Sequence, residues 1–311
     1  MLKVLTVCFV TLALAACTPN RITNGAAGAE RSEPILVGGA TGNQGGAVVA
    51  DLLARGYRVR ALTRRPDSDD ARRLAALGVE VVEGNYGNAA SLDAALTGVR
   101  RMFFYSGRSS DELQEGLTVL AAAKRAGIEH LIYSSGAAAE PGIGLDGPKQ
   151  QIELAIVASG IPYTIVRPVA FMENFAGQQR RIATVGITDS RAPDRVLHFI
   201  ALRDIGRVVG GAFADPDRWI GKAFNLAGDR MTMAEHVAVF SRVMQQPVTY
   251  NRLPPEELQA ALPKPLRPLF RWYEEVGYTA DVAMLRREFP EMLTLEDYLR
   301  TSGWGPADQR K

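Results

Sequence analysis

A doubly wound, parallel α/β sheet followed by a smaller C-terminal lobe is the fold class this sequence predicts. Three observations carry it. Between residues 34 and 168, short apolar segments alternate with helical patterns, and strict strand and helix alternation argues for a parallel sheet covered on both faces. Gly56, Gly78, Gly98, Gly127 and Gly160 each stand between a helical pattern and the next apolar run, where a left-handed residue ends a helix. The first apolar run leads straight into a glycine-rich turn and then a helix. With 311 residues and 47% apolar content, the chain can build one large α/β domain or two modest ones.

In chain order, the first feature stands outside the fold. Lys3 precedes an apolar run, Val4 to Ala16. That run is shorter than the roughly 20 residues of a membrane-spanning helix and matches the apolar core of an export signal. Leu14-Ala15-Ala16-Cys17 resembles the lipobox of bacterial lipoproteins, which implies removal of residues 1–16, lipidation of Cys17 and a membrane anchor of more than one acyl chain. An ordinary secretory signal or a misassigned start is the other reading. Residues 17–33 then form a flexible tether, with an r.m.s. reach of roughly 20 Å. The resemblance implies a bacterial cell-envelope protein, lipid-anchored on the periplasmic side. Thr18 after the cysteine, in place of an aspartate, points to the outer membrane. A chain without a working signal would be cytoplasmic.

The folded domain spans 34–311, with 34–168 as the sheet core and 169–311 mainly a substrate lobe. It opens on the strand Ile35-Leu36-Val37, the turn Gly38-Gly39-Ala40-Thr41-Gly42-Asn43-Gln44-Gly45 and a helix over 47–54. Glycines at 39, 42 and 45 form a G-x-x-G-x-x-G spacing. Gly39 permits the tight turn, Gly42 lets a phosphate approach the backbone, and Gly45 lets helix and strand pack closely. Free N–H groups and the positive end of the helix dipole would hold a dinucleotide pyrophosphate.

Further strands are expected at 58–63, 79–83, 102–105, 131–134 and 163–167, with helices at 71–77, 89–96, 113–126 and 150–159 between them. In dinucleotide-binding sheets the end of the second strand faces the adenosine ribose, where an acid selects NAD and an arginine accommodates the 2′-phosphate of NADP. Here that place reads Thr63-Arg64-Arg65, with no carboxylate before Asp67. A guanidinium suits a phosphate bidentately, so NADP is expected over NAD. Two solvated surface arginines are the plainer reading.

Past Pro168 the pattern loosens. Strands are expected at 196–201 and 223–226, with a helix over 204–214 opened by a capping Asp204. Thr232-Met233-Ala234-Glu235 has the spacing of a capping box that starts a helix carrying His236. Pro254, Pro255, Pro263, Pro265 and Pro268 divide the next stretch into short helices.

Composition closes several routes. The formal charge of +2 comes without a basic stripe interleaved with aromatics, which argues against a nucleic-acid partner. Cys8 and Cys17 are the only cysteines, so the body of the chain has no disulfide, thiol nucleophile or cysteine metal site. His130, His198 and His236 are far apart and show no metal-ligand spacing.

Residues 34 to about 300 resemble the NmrA-like family of atypical short-chain dehydrogenases, which are NAD(P)-binding Rossmann proteins. The likeness rests on Gly39-Ala40-Thr41-Gly42-Asn43-Gln44-Gly45, on Leu62-Thr63-Arg64, and on the block Ser159 to Pro168 followed by Phe171-Met172-Glu173-Asn174. The resemblance implies that Gly39 to Gln44 bind pyrophosphate and Arg64 the 2′-phosphate. Ser106 and Gly107 would pass near the adenosine and ribose, Lys149 would reach the nicotinamide ribose, and Pro168 to Phe171 would line the nicotinamide. The family includes NADPH-dependent quinone reductases and also proteins that bind NADP(H) to sense redox state without turnover. Asn85 stands where relatives often have an aspartate near adenine.

Active short-chain dehydrogenases pair a lysine with a tyrosine four residues earlier, because the ammonium lowers the phenol's pKa and readies it as a proton donor. Four residues before Lys149 stands Leu145. A ketone would yield a strongly basic alkoxide that needs a positioned acid, whereas a quinone yields a far less basic anion that water can protonate. Lys149 is the one candidate catalytic group, and Ser134 and Ser135 are candidates to orient a carbonyl. Phe171, Phe175 and Tyr105 are expected to wall the pocket. The resulting expectation is an NADPH-dependent oxidoreductase acting on a small molecule such as a quinone. The alternative is a non-catalytic NADP(H)-responsive regulatory protein.

Overall fold

The computed structural model describes residues 33–107, 109–140 and 147–306. The expected signal, the Cys17 lipidation site and Leu145 lie outside the described residues. In chain order the main elements are β1 (Ile35–Gly38), α1 (Asn43–Ala54), β2 (Val59–Thr63), α2 (Asp69–Ala76), β3 (Glu80–Glu83), α3 (Ala89–Ala95) and β4 (Arg101–Tyr105). Next come α4 (Glu112–Ala126), β5 (His130–Ser134), α5 (Pro148–Ser159), β6 (Tyr163–Pro168), β7 (Ala170–Phe171), α6 (Gln179–Val185), β8 (Ile187–Asp189) and β9 (Val196–Ile200). The remainder is α7 (Leu202–Ala214), α8 (Pro216–Trp219), β10 (Lys222–Leu226), β11 (Asp229–Thr232), α9 (Met233–Met244), β12 (Tyr250–Arg252), α10 (Pro255–Ala261), α11 (Arg267–Glu275), α12 (Val282–Glu288) and α13 (Leu295–Thr301).

Seven parallel strands form the central sheet in the order β10-β6-β5-β4-β1-β2-β3. The inner strands are buried on both faces, so β1 and β4 read as near-continuous apolar runs, whereas the edge strands β3 and β10 are partly exposed. Successive side chains go to opposite layers: Val37 and Phe103 pack with Val48, Leu52, Ile205 and Val209 of α1 and α7. Leu36 and Phe104 pack with Leu92, Val119 and Ile152 of α3, α4 and α5. Helices α1 and α7 approach closely because Gly206 has no side chain; a Cβ there would lie 2.3 Å from the Ala47 carbonyl oxygen. Helix α4 ends on Gly127 at φ 71° and α5 on Gly160 at φ 78°, the left-handed caps that the sequence expects.

The strand order turns back between β1 and β4, because β1 continues to β2 on one side and the chain resumes with β4 on the other. Ligands of open α/β sheets bind in the crevice at the carboxyl ends of the strands flanking such a point.

A second core, including Met172, Phe199, Phe240, Leu295 and Trp304, sits under the C-terminal lobe. The capping box at Thr232 and Glu235 is formed. Asp204 is not a cap. Helix α7 begins at Leu202 with Ala201 before it and no side-chain cap. The fully buried Asp204 instead accepts the Leu293 backbone N–H at 2.8 Å, tying the loop before α13 to the helix. The chain also returns to the main layers after Pro168, since β10 pairs in parallel with β6.

Candidate functional site

The crevice at the β1 and β4 ends is built by the glycine turn. Gly39 adopts φ +66°, and its carbonyl accepts the Gly42 N–H at 2.9 Å. A Cβ on Gly45 would lie 2.2 Å from the Gly39 oxygen, so helix and turn touch as expected. Gly42 is the N-cap of α1, without a side-chain hydrogen bond and without an acidic residue in the first turn. By contrast, Ser68 caps α2 and Asn88 caps α3. The first-turn N–H groups of α1 therefore keep their positive potential without a side-chain acceptor, which fits the pyrophosphate of a dinucleotide.

Next to the turn, Ser134 at the end of β5 donates to Gln44 Oε1 at 2.7 Å. That bond uses the only hydroxyl proton of Ser134, so this side chain locks the turn to β5. Ser135, the next residue, is buried beside the Tyr133 phenol.

Lys149, in the first turn of α5, donates to the Ser106 carbonyl at 2.8 Å, to Ser106 Oγ at 2.8 Å and to Glu112 Oε1 at 2.6 Å. Ser106 Oγ in turn donates to Glu112 at 2.6 Å and lies 2.8 Å from the Tyr133 hydroxyl. Glu112 and Ser106 are buried. A buried carboxylate needs a cation and hydrogen bonds to offset its desolvation, and Lys149 and Ser106 supply both. Burial pushes the Tyr133 phenol well above its ordinary range. Sequence reasoning missed Glu112, because an acid in the first turn of a helix is ordinary by itself.

Lys149, Ser106, Gln44, Ser134, Pro168 and Phe171 all line one cavity of about 1130 Å³. The carboxyl end of β6 supplies its Pro168-to-Phe171 wall, while Leu266, Pro268, Leu269, Phe270, Tyr273 and Tyr278 close it from the C-terminal lobe. The lining is mostly apolar and aromatic. Phe175 does not belong to it. Its ring packs 5.1 Å from Phe240 and 5.3 Å from His236, in the core of the small lobe. The 3₁₀ turn after β7 separates Phe171 and Phe175 so that only the first faces the cavity.

At the adenosine end, Arg64 and Arg65 are exposed just past β2. Burial raises the Tyr105 phenol, and the nearby positive charge of Arg64 opposes the rise. Asn85 is exposed and accepts the Gly87 N–H at 3.0 Å in a tight turn. The three histidines are buried, and burial lowers His130 and His198 to about 4 and His236 to about 3. Among the described residues, no group of three or more His, Cys, Asp or Glu could hold a metal ion.

Residues 31–299 match the model of the NmrA-like family. The (4-alkanoyl-5-oxo-2,5-dihydrofuran-3-yl)methyl phosphate reductase of Streptomyces griseus is 34% identical over 73% of this chain and 80% of its own length. The NAD(P)H azoreductase of Xenophilus azovorans is 31% identical with the same coverage. Among solved structures, the NADPH-dependent quinone oxidoreductase of Escherichia coli, complexed with NADPH, superposes with a TM-score of 0.76. It shares 25% identity, over 86% of this chain and 99% of that one.

Proposed function

The chain belongs to the NmrA-like family, and we propose that it is an NADP(H)-dependent oxidoreductase that reduces flat, quinone-like acceptors. One observation carries the reading: an uncapped, glycine-bounded helix N-terminus joins, through Gln44 and Ser134, a largely apolar cavity of about 1130 Å³. Reductases among the relatives support it, including one for azo compounds and one for quinones.

In this reading Gly39, Ala40, Thr41, Gly42, Asn43, Gln44 and Gly45 hold the pyrophosphate through backbone N–H groups. Arg64 meets the 2′-phosphate, and Ser106 lies along the ribose path. Pro168 and Phe171 hold the nicotinamide face against the acceptor. The bound nicotinamide supplies or accepts a hydride. Lys149 lines the cavity wall with its ammonium held by Glu112 and Ser106, and it reaches the nicotinamide ribose by giving up one of those three hydrogen bonds. The apolar lobe, with Phe270 and Tyr273, excludes water and positions a planar acceptor. Leu145 offers no proton where many short-chain dehydrogenases have a phenol, and a quinone suits that lack because its reduced anion is weakly basic.

Cys17 is the proposed lipidation site, with residues 17–33 tethering the domain to the periplasmic side of the envelope, at the outer membrane. Calorimetric titration of the mature protein with NADPH and NADH tests the cofactor assignment. Saturable binding that favours NADPH is expected, and no heat with either would overturn it.

A further inference from the structure

We propose that Tyr105 is a dinucleotide-binding residue whose hydroxyl donates a hydrogen bond to the adenosine-side phosphate of the pyrophosphate. The proposal rests on the cofactor reading above and adds a side-chain donor to a turn otherwise built from backbone. Tyr105 is the last residue of β4 and faces the glycine turn across the point where the strand order reverses.

The geometry is specific. A Cβ on Gly42 would lie 2.3 Å from the Tyr105 hydroxyl oxygen, and one on Gly39 would lie 2.6 Å from its ring Cε1. The space that Gly42 leaves beside its backbone is thus taken by the phenol oxygen, which stands where a phosphate would approach the turn. Tyr105 also lines the large cavity, so its edge is reachable from the cofactor path.

Among the described residues the Tyr105 hydroxyl makes no hydrogen bond, although its ring is partly buried and packs 6.4 Å from Phe103. Its proton is therefore available to a ligand that enters the cavity. Arg64 acts electrostatically on this phenol and on that of neighbouring Tyr86. Tyr86 cannot serve instead: its hydroxyl is enclosed beneath the turn, 2.2 Å from where a Gly38 Cβ would be. An O–H donor that faces bare glycine backbone, within electrostatic reach of a guanidinium, is chemistry suited to an anion.

The two groups have separable signatures. Arg64 would meet the 2′-phosphate, present in NADPH only, whereas Tyr105 would meet the phosphate that both cofactors share. Tyr105→Phe keeps the ring and removes only the donor. Calorimetry with NADPH and NADH should therefore show both dissociation constants rising about 10-fold, as for one hydrogen bond to a charged acceptor, with their ratio unchanged. The melting temperature without cofactor should stay at the wild-type value, since no protein hydrogen bond is lost.

Wild-type binding with less than a twofold change in the variant would overturn the Tyr105 assignment alone. So would tighter binding, which would mean the phenol obstructs the turn, or a loss confined to NADPH, which would move the contact to the 2′-phosphate. Absence of binding by the wild type would overturn both this assignment and the cofactor reading.

Discussion

Adjacent glycines in the first helix respond oppositely to the same substitution if the turn is built as described. A methyl group on Gly45 would lie 2.2 Å from the Gly39 oxygen and 2.9 Å from Ala40 Cα, and both are backbone atoms that cannot rotate aside. The same methyl on Gly46 meets nothing nearer than the Ala40 oxygen at 3.6 Å, an ordinary contact. Alanine in place of glycine inside a helix contributes about 0.5–1 kcal/mol, while forced overpacking costs about 1–3 kcal/mol. Gly46→Ala should therefore stabilise the protein by about 0.5–1 kcal/mol, and Gly45→Ala should destabilise it by about 1–2 kcal/mol. At about 2–4 °C per kcal/mol for a domain near this size, the two melting temperatures should separate by several degrees on either side of wild type. Gly45→Ala should also weaken NADPH about tenfold or more, because the helix N-terminus is pushed off the turn, a loss of about 1.4 kcal/mol. Differential scanning calorimetry and NADPH titration read both effects. Equal melting temperatures for the two variants, with equal cofactor affinity, would refute the packing described for the turn.

Arg64→Ala should weaken NADPH by roughly 1.5–3 kcal/mol while leaving NADH nearly unchanged, as for loss of a charge-assisted contact; equal losses in calorimetry would remove Arg64 from the 2′-phosphate. His236 is buried against Phe199 and Phe240, with its pKa lowered to about 3 by burial. The unfolded chain therefore binds the extra proton first, and stability should fall as pH drops below about 6.5, by up to about 1.4 kcal/mol per pH unit for this group. His236→Phe should flatten that slope in urea melts across the acid range, and an unchanged slope would remove His236 as a contributor. Cys17→Ser should leave the protein in the soluble fraction and block lipid labelling; a wild-type protein that is already soluble and unprocessed would refute the anchor.

Six strands of the sheet were legible because their signals are local: apolar runs of strand length, helical spacing between them, and a glycine after each helix. The seventh, β10, lies in the stretch that reads as the lobe, because its pairing with β6 brings together segments more than fifty residues apart. The glycine turn was legible as a motif, since Gly45 packs on Gly39 and Ala40 within ten residues, but the room that Gly39 and Gly42 make for Tyr105 of β4 was not, because that contact forms only once the sheet is assembled. Glu112 was not, because its importance comes from Lys149, which lies 37 residues further on and meets it only after β5 and α5 have packed. The wall formed by Leu266, Phe270 and Tyr273 is more distant still from the turn it faces, and nothing in their spacing aims them at Gln44. Phe171 and Phe175 look alike in sequence, and only the 3₁₀ turn between them decides which faces the cavity. Asp204 was misread because an acid near a helix start serves equally well as a cap or as the acceptor for a distant loop, here Leu293.

The most direct test of hydride transfer is a single-turnover experiment with the mature protein saturated with NADPH. Rapid mixing with a naphthoquinone, and in parallel with a simple aliphatic ketone, follows loss of the reduced-nicotinamide absorbance. Oxidation well above the protein-free rate with the quinone, and none above it with the ketone, is the predicted result. Tight NADPH binding with no acceleration by any quinone would contradict the account and leave a protein that binds the cofactor without using it.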